Sequence, residues 1–229
     1  MKEFGIRFSG LEQPLEEILI DHIKDKNQYT FLEIGFASGK THKAIREIIK
    51  ENINTDFWMT IGLDLINSDN VNFKEINQIF NENELLVYRP GDDDAKLASL
   101  GKYHSVLTLR ENPREDFIKN IDDNGLDLCL IDANHSLTNT YNDFIAIENK
   151  MVPGSLVLFH DAGIEETGSD FQCVENGVKQ YIDVRGALIK LGLLGDHRKG
   201  WRLIQMIPGT RHLNKNPDGG NSLAVFQKI

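Results

Sequence analysis

A doubly wound α/β fold with a mostly parallel sheet is predicted by three features of this sequence. Apolar strand-like runs alternate with amphipathic helical segments along the 229-residue chain, the pattern of a parallel sheet covered by helices. Several runs, LDLCLI at 126–131 most clearly, are apolar without alternation, as strands buried on both faces are. Acidic residues and glycines gather where strands end, at Glu33-Ile34-Gly35, Asp64, Asp132 and Asp161. In such sheets the carboxyl ends of the strands are where ligands bind.

The elements follow in order. Residues 14–26 read as a helix, with Pro14 in its first turn and Leu15, Ile18, Leu19, His22 and Ile23 on one face. His22 on that stripe is a packing residue. YTFLEI is the first strand. Ser38 is placed to cap a helix whose apolar face is Ala44, Ile45, Ile48 and Ile49. FWMTIGLDL is the second strand, and a helical segment near 71–82 follows it. ELLVY and SVLTL are strand-like, PREDFIKNI is a short helix, and LDLCLID and GSLVLFHD are strands flanking a helix through Tyr141, Phe144, Ile145 and Ile147. A helix is expected near 174–192. WRLIQMI, which Trp201 starts as a core residue, and LAVFQKI then form a closing strand pair. No repeat or low-complexity linker interrupts the chain, so it reads as one domain over 1–229, with 1–28 as an N-terminal helical extension.

Composition narrows the function. The chain is 40% hydrophobic and 26% charged, with a formal net charge of -10. That balance argues against broad contact with nucleic-acid backbone, which needs clustered Lys and Arg. No apolar run approaches the roughly 18 residues of a membrane span, and MKEFGIRFSG lacks the apolar core of a secretory signal. A cytoplasmic location and a small-molecule partner are expected. Cys129 and Cys173 lie far apart without a metal-ligand pattern.

FLEIGFASGKT at 31–41 poses the central question. Gly39-Lys40-Thr41 suggests a phosphate-binding loop, whose fingerprint needs four residues between its glycines. Here Gly35 and Gly39 enclose three, and loop curvature depends on that length. Lys40 and Thr41 therefore read as an exposed first helical turn. The G-x-G-x-x-G dinucleotide fingerprint is absent as well.

What remains, hydrophobic-E-x-G-x-x-x-G between a strand and a helix, resembles motif I of class I S-adenosylmethionine-dependent methyltransferases. The resemblance implies a Rossmann-like methyltransferase fold with a seven-stranded sheet. It also implies a turn of Gly35, Phe36, Ala37, Ser38 and Gly39 against the methionine part of the cofactor, with Glu33 suited to a ligand bearing an ammonium and a sulfonium. Ala37 stands where the family often has glycine. Asp64, ending the second strand, suits the ribose hydroxyls. The adenine loop is Arg110-Glu111-Asn112 or Gly91-Asp92-Asp93-Asp94, with Glu111 and Asn112 preferred.

LDLCLIDANHSLTNTYNDF and MVPGSLVLFHDAG are similar to a subgroup with I-D-x-x-H-S and H-D motifs, which includes sugar and macrolide O-methyltransferase-like enzymes. The likeness covers roughly residues 29–165. Neighbouring parallel strands lie about 4.8 Å apart, so Asp132, His160 and Asp161 can converge on one point and hold Mg²⁺ or Mn²⁺. Asp132 also lines the cofactor pocket in this reading. His135 can take a proton from a hydroxyl acceptor. His42, His104, His197 and His212 read as structural or loop residues. The loops GDHRKGW and GTRHLNKNPDGG are candidate substrate contacts, a lid or a homo-oligomer contact. The implied activity is methyl transfer to a small-molecule oxygen. The rival readings are a P-loop-like nucleotide triphosphatase and a non-catalytic binding protein of the same fold.

Overall fold

The computed structural model describes residues 12–66, 71–81, 83–89, 104–163, 172–175, 178–181, 183–195, 197–207 and 222–229. The chain divides into two compact units, whose described parts begin at Glu12 and at Asp123.

The first unit runs α1 (Glu12–Ile23), β1 (Tyr29–Ile34), α2 (Lys40–Asn52), β2 (Trp58–Leu65), α3 (Phe73–Ile79), β3 (Leu86–Tyr88), β4 (Ser105–Arg110) and α4 (Pro113–Asp116). Strands β1 and β2, β2 and β4, and β3 and β4 all pair in parallel. Phe31, Leu32, Ile45, Ile49, Leu63 and Leu107 are fully buried, which is why the runs carrying them lack a polar face.

The second unit runs β5 (Leu126–Ile131), α5 (Leu137–Ile147), β6 (Met151–His160), β7 (Gln172–Glu175), β8 (Val178–Tyr181), α6 (Val184–Lys190), β9 (Trp201–Ile207) and β10 (Leu223–Lys228). Strand β6 is parallel to β5 and antiparallel to β10, which is antiparallel to β9. The main sheet has eight strands in the order β3-β4-β2-β1-β5-β6-β10-β9. All eight apolar runs singled out in the sequence thus enter one sheet, mostly parallel with an antiparallel closing pair. The short β3 brings the count from seven to eight.

One helix differs from expectation. Gln172–Glu175 and Val178–Tyr181 are antiparallel strands, with Glu175 opposite Val178, and among the described residues of this stretch only Val184–Lys190 is helical. The linking pair Asn176-Gly177 is the strongest short hairpin signal, and it outweighs the helical spacing. Trp201 does begin a core strand: it is buried, and its indole N–H donates to Glu148. Glu148 also receives Arg198, while the Lys228 ammonium donates to the carbonyls of Glu148 and Met151. These bonds fasten the ends of β9 and β10 to the turn before β6. Among the described residues, no helix is long and apolar enough to cross a membrane.

Candidate active site

The glycine turn follows β1 without a break. Gly35, Ala37 and Gly39 all have positive φ, at 95°, 46° and 75°. Ala37 therefore occupies a left-handed position that costs an L-residue roughly 1–2 kcal/mol. Ala37→Gly is expected to raise stability by about 0.5–1 kcal/mol once the extra chain entropy of glycine is subtracted, read as a small rise in Tm.

The helix start differs from the sequence reading. Gly39, and not Ser38, occupies the N-cap of α2, and no side chain caps it. The left-handed turn runs one residue further than the Ser-cap pattern assumes. Thr41 is buried, while Lys40 is exposed and its ammonium lies 2.6 Å from Glu75. A lysine so paired is not poised over a phosphate, consistent with the short glycine spacing.

Phe36 points into the protein. Its ring is 2% exposed and packs with Phe80 and His42. Only glycines leave room for it, since a Cβ at Gly62 would lie 2.1 Å from its ring and one at Gly39 2.5 Å. The backbone of Phe36 instead faces Asp64 at the end of β2. The N–H groups of Phe36 and Ala37 both donate to Asp64 Oδ2 at 3.0 Å, and the Leu65 N–H donates to Oδ1 at 2.8 Å. Asp64 thus stands at the turn, as its position after the second strand implied. It is half-buried, with acceptor capacity left on its carboxylate.

Glu33 turns the other way. Its side chain is 2% exposed, and its Oε2 lies 3.0 Å from Nδ1 of the fully buried His42. Glu111 and Asn112 follow β4 in exposed positions, and the Asn112 N–H donates to Asp116. The alternative adenine loop at 91–94 lies outside the described residues, as does His212.

In the second unit, β5 and β6 end side by side, with Ile131 opposite Phe159. Asp132 and His160 follow in step, and Asp132 Oδ1 lies 2.7 Å from His160 Nδ1. Asp161 takes a left-handed conformation, φ 57°, which aspartate tolerates better than most residues. His135 is inserted between the two acids, with Nε2 3.1 Å from Asp132 Oδ1 and Nδ1 3.4 Å from Asp161 Oδ2. The loop that carries it is anchored at both ends. Ser136 caps α5 by accepting the Asn139 N–H, and the His135 carbonyl accepts the Asp183 N–H at 2.9 Å.

Electrostatics in this cluster follow from the pairing. Burial alone would raise the Asp132 pKa, but the His160 charge and hydrogen bonds from His135 and His160 outweigh it and hold the acid well below the usual carboxylate range. Burial alone would lower His160. Asp132, as charge and hydrogen-bond partner, and Asp161 overcome that and push it up to about 9. All four residues expected at the ends of these strands are therefore brought together, and one ligand atom each from Asp132, His135 and His160 lies within 4.8 Å of the others. His42 is the residue sequence reasoning passed over. Its only signal was a histidine on the buried face of an amphipathic helix.

Residues 32–162 match a family model described as "Methyltransferase domain" (Methyltransf_24). No curated protein matches the chain. Among solved structures, the cofactor-bound Rv0187 from MTB has a TM-score of 0.54 at 12% identity, covering 97% of this chain and 84% of its own. The O-methyltransferase TomG from Streptomyces achromogenes, involved in tomaymycin synthesis and solved with SAM, has a TM-score of 0.52 at 13% identity, covering 94% of this chain and 80% of its own. The O-methyltransferase from Bacillus cereus, in complex with SAH, has a TM-score of 0.54 at 12% identity, covering 94% and 81%. At such identities the likeness carries the fold, while the family match spans more than half of the chain. This chain belongs to the methyltransferase-domain family and has its class I fold.

Proposed function

We propose that this protein moves the methyl group of S-adenosylmethionine to an oxygen of a small-molecule acceptor. The observation that carries the reading is the glycine turn, whose Phe36 and Ala37 amides converge on Asp64 at the end of β2. That arrangement places a carboxylate with spare acceptor capacity beside backbone that a ligand can approach closely, as a nucleoside with a methionine tail requires. The relatives solved with SAM or SAH and called O-methyltransferases support the cofactor and the acceptor atom.

In the reaction, the acceptor oxygen attacks the methyl carbon as the carbon–sulfur bond breaks. The bonding pair goes to sulfur, and a neutral thioether leaves. The protein has to align donor and acceptor and remove the hydroxyl proton. His135 is the proton acceptor in this reading. It is oriented by carboxylates on both ring nitrogens, so whichever nitrogen takes the proton has an acid beside it.

A divalent ion is favoured by a separate observation, the closeness of donor atoms on Asp132, His135 and His160. These residues, with Asp161 behind them, would hold Mg²⁺ or Mn²⁺, and His135 would then serve as a ligand and not as the base. A bound ion would lower the pKa of a hydroxyl on it. The His160 proton would have to leave first.

Calorimetry with S-adenosylhomocysteine tests the cofactor. Micromolar binding is expected, with at least a tenfold loss in Asp64→Ala. Unchanged affinity in that variant, or binding of ATP in its place, would overturn the reading. Turnover that survives a chelator would leave His135 as the base without a metal.

A further inference from the structure

The first unit contains a buried polar chain that the glycine turn alone does not explain. It begins at Arg46 on α2, which is 5% exposed and paired with Glu47 and Glu84. Arg46 Nε donates to Ser105 Oγ at 2.8 Å. Ser105 Oγ lies 2.8 Å from Thr60 Oγ1, Thr60 Oγ1 2.9 Å from His42 Nε2, and His42 Nδ1 3.0 Å from Glu33 Oε2. Thr60, Ser105 and His42 are all fully buried. Phe31, Phe36 and Phe80 surround the imidazole.

Chemistry gives the chain a direction. A guanidinium only donates, so Ser105 accepts from Arg46. A carboxylate only accepts, so with Glu33 ionised Nδ1 carries the proton and the bare Nε2 takes the Thr60 hydroxyl proton; in the 2.8 Å Thr60–Ser105 contact, where either hydroxyl can donate, Ser105 is then the donor. Burial first, and the Arg46 charge second, push the His42 pKa down to about 3, so the ring stays neutral and its tautomer is the variable that matters.

We infer that His42 is a positioning residue for cofactor binding: as the Nδ1–H tautomer, oriented through Thr60 and Ser105 by Arg46, it holds the Glu33 carboxylate ionised and fixed beneath the glycine turn. The inference rests on the S-adenosylmethionine reading. Glu33 acts here by charge through the turn and not by touching the ligand, because its side chain is buried. His42 also joins α2 to β1 and β2, so the same ring sets where the turn's far end begins.

Two amide variants separate the two ends of the ring. Asparagine places its N–H₂ near the position of Nδ1 and keeps the bond to Glu33. Glutamine reaches toward Thr60 and loses it. The experiment is imidazole ¹⁵N NMR of the wild type, with S-adenosylhomocysteine calorimetry and Tm for His42→Asn and His42→Gln. The expected results are an Nδ1–H tautomer with a bare Nε2, affinity within about threefold of wild type for His42→Asn, and at least a tenfold loss for His42→Gln at comparable Tm. An Nε2–H tautomer, or equal affinities in the two variants, would overturn the inference while leaving the cofactor reading standing. Should neither variant fold, the tautomer and a Glu33→Gln variant decide it: Glu33→Gln must bind S-adenosylmethionine, with its sulfonium charge, more weakly relative to S-adenosylhomocysteine than wild type does. A wild type that binds neither compound overturns both readings, and calorimetry alone shows that.

Discussion

Asp132→Asn is expected to cut turnover at least about 100-fold, the scale of losing a positioned proton-transfer partner. In metal-free protein it should also return His160 from about 9 toward its ordinary 6.5. The variant keeps the shape of the site and removes its central charge, which His135 and His160 both face. The pH dependence of stability follows from the two shifts. The raised pKa of His160 gives stability that is complete below 6.5 and is lost as pH rises through about 9. The depressed pKa of Asp132 gives stability present above 3.8 and lost as pH falls through its folded value. The wild type should therefore show a plateau between about pH 4 and pH 6.5, followed by a loss that continues to about pH 9. The variant should lack roughly 2–3 kcal/mol of that plateau and show a flatter alkaline limb. Denaturant unfolding at pH 6 and pH 10, with an NMR titration of His160, checks both. A His160 that still titrates near 9 in the Asp132→Asn variant would mean that Asp161, and not Asp132, holds its proton.

Gly62→Ala is the second large effect, and a single methyl group causes it. The new Cβ would sit 2.1 Å from Phe36 Cδ2 and 2.7 Å from Cε2. The ring has no retreat, because Gly39 and Phe80 close its other side. Overpacking of this kind costs about 1–3 kcal/mol, or roughly 2–12 °C in Tm for a chain of this size. The loss should not stop at stability. Phe36 bears one of the two turn amides bound to Asp64 Oδ2, so displacing its ring displaces the turn, and S-adenosylhomocysteine affinity should fall with Tm. Phe36→Leu in the Gly62→Ala background should restore part of both. A Gly62→Ala protein that melts and binds like wild type would show that the turn does not depend on the Phe36 ring.

How much of this was legible beforehand depended on whether the deciding contacts were local. LDLCLI and GSLVLFH announce buried strands because nearly every position is apolar, and Asp132, His160 and Asp161 then fall together by strand order alone. Asp64 was legible for the same reason. His135 could be placed near the cluster, but its insertion between two carboxylates depends on the Asp183 N–H that holds its carbonyl. That contact spans many residues of sequence. The buried chain at His42 was invisible because Thr60 and Ser105 are partners only through the β2–β4 register. The inward turn of Glu33 could not be read either, since the motif fixes where its backbone stands and not where its carboxylate points. At 172–181 the error was one of weighting, because Asn176-Gly177 was already in the sequence.

The position of β10 bears on how the protein is made. It follows both β6 and β9 in sequence, yet it lies between them in the sheet. During synthesis β6 therefore waits with one edge open until residues 223–228 have left the ribosome, and β9 has no partner among the described strands until then. An open apolar edge such as LVLF invites pairing with another nascent chain. Ribosome stalling or nonsense truncation anywhere between β6 and β10 should therefore yield aggregates and chaperone-bound chains, with no partly active enzyme among the products.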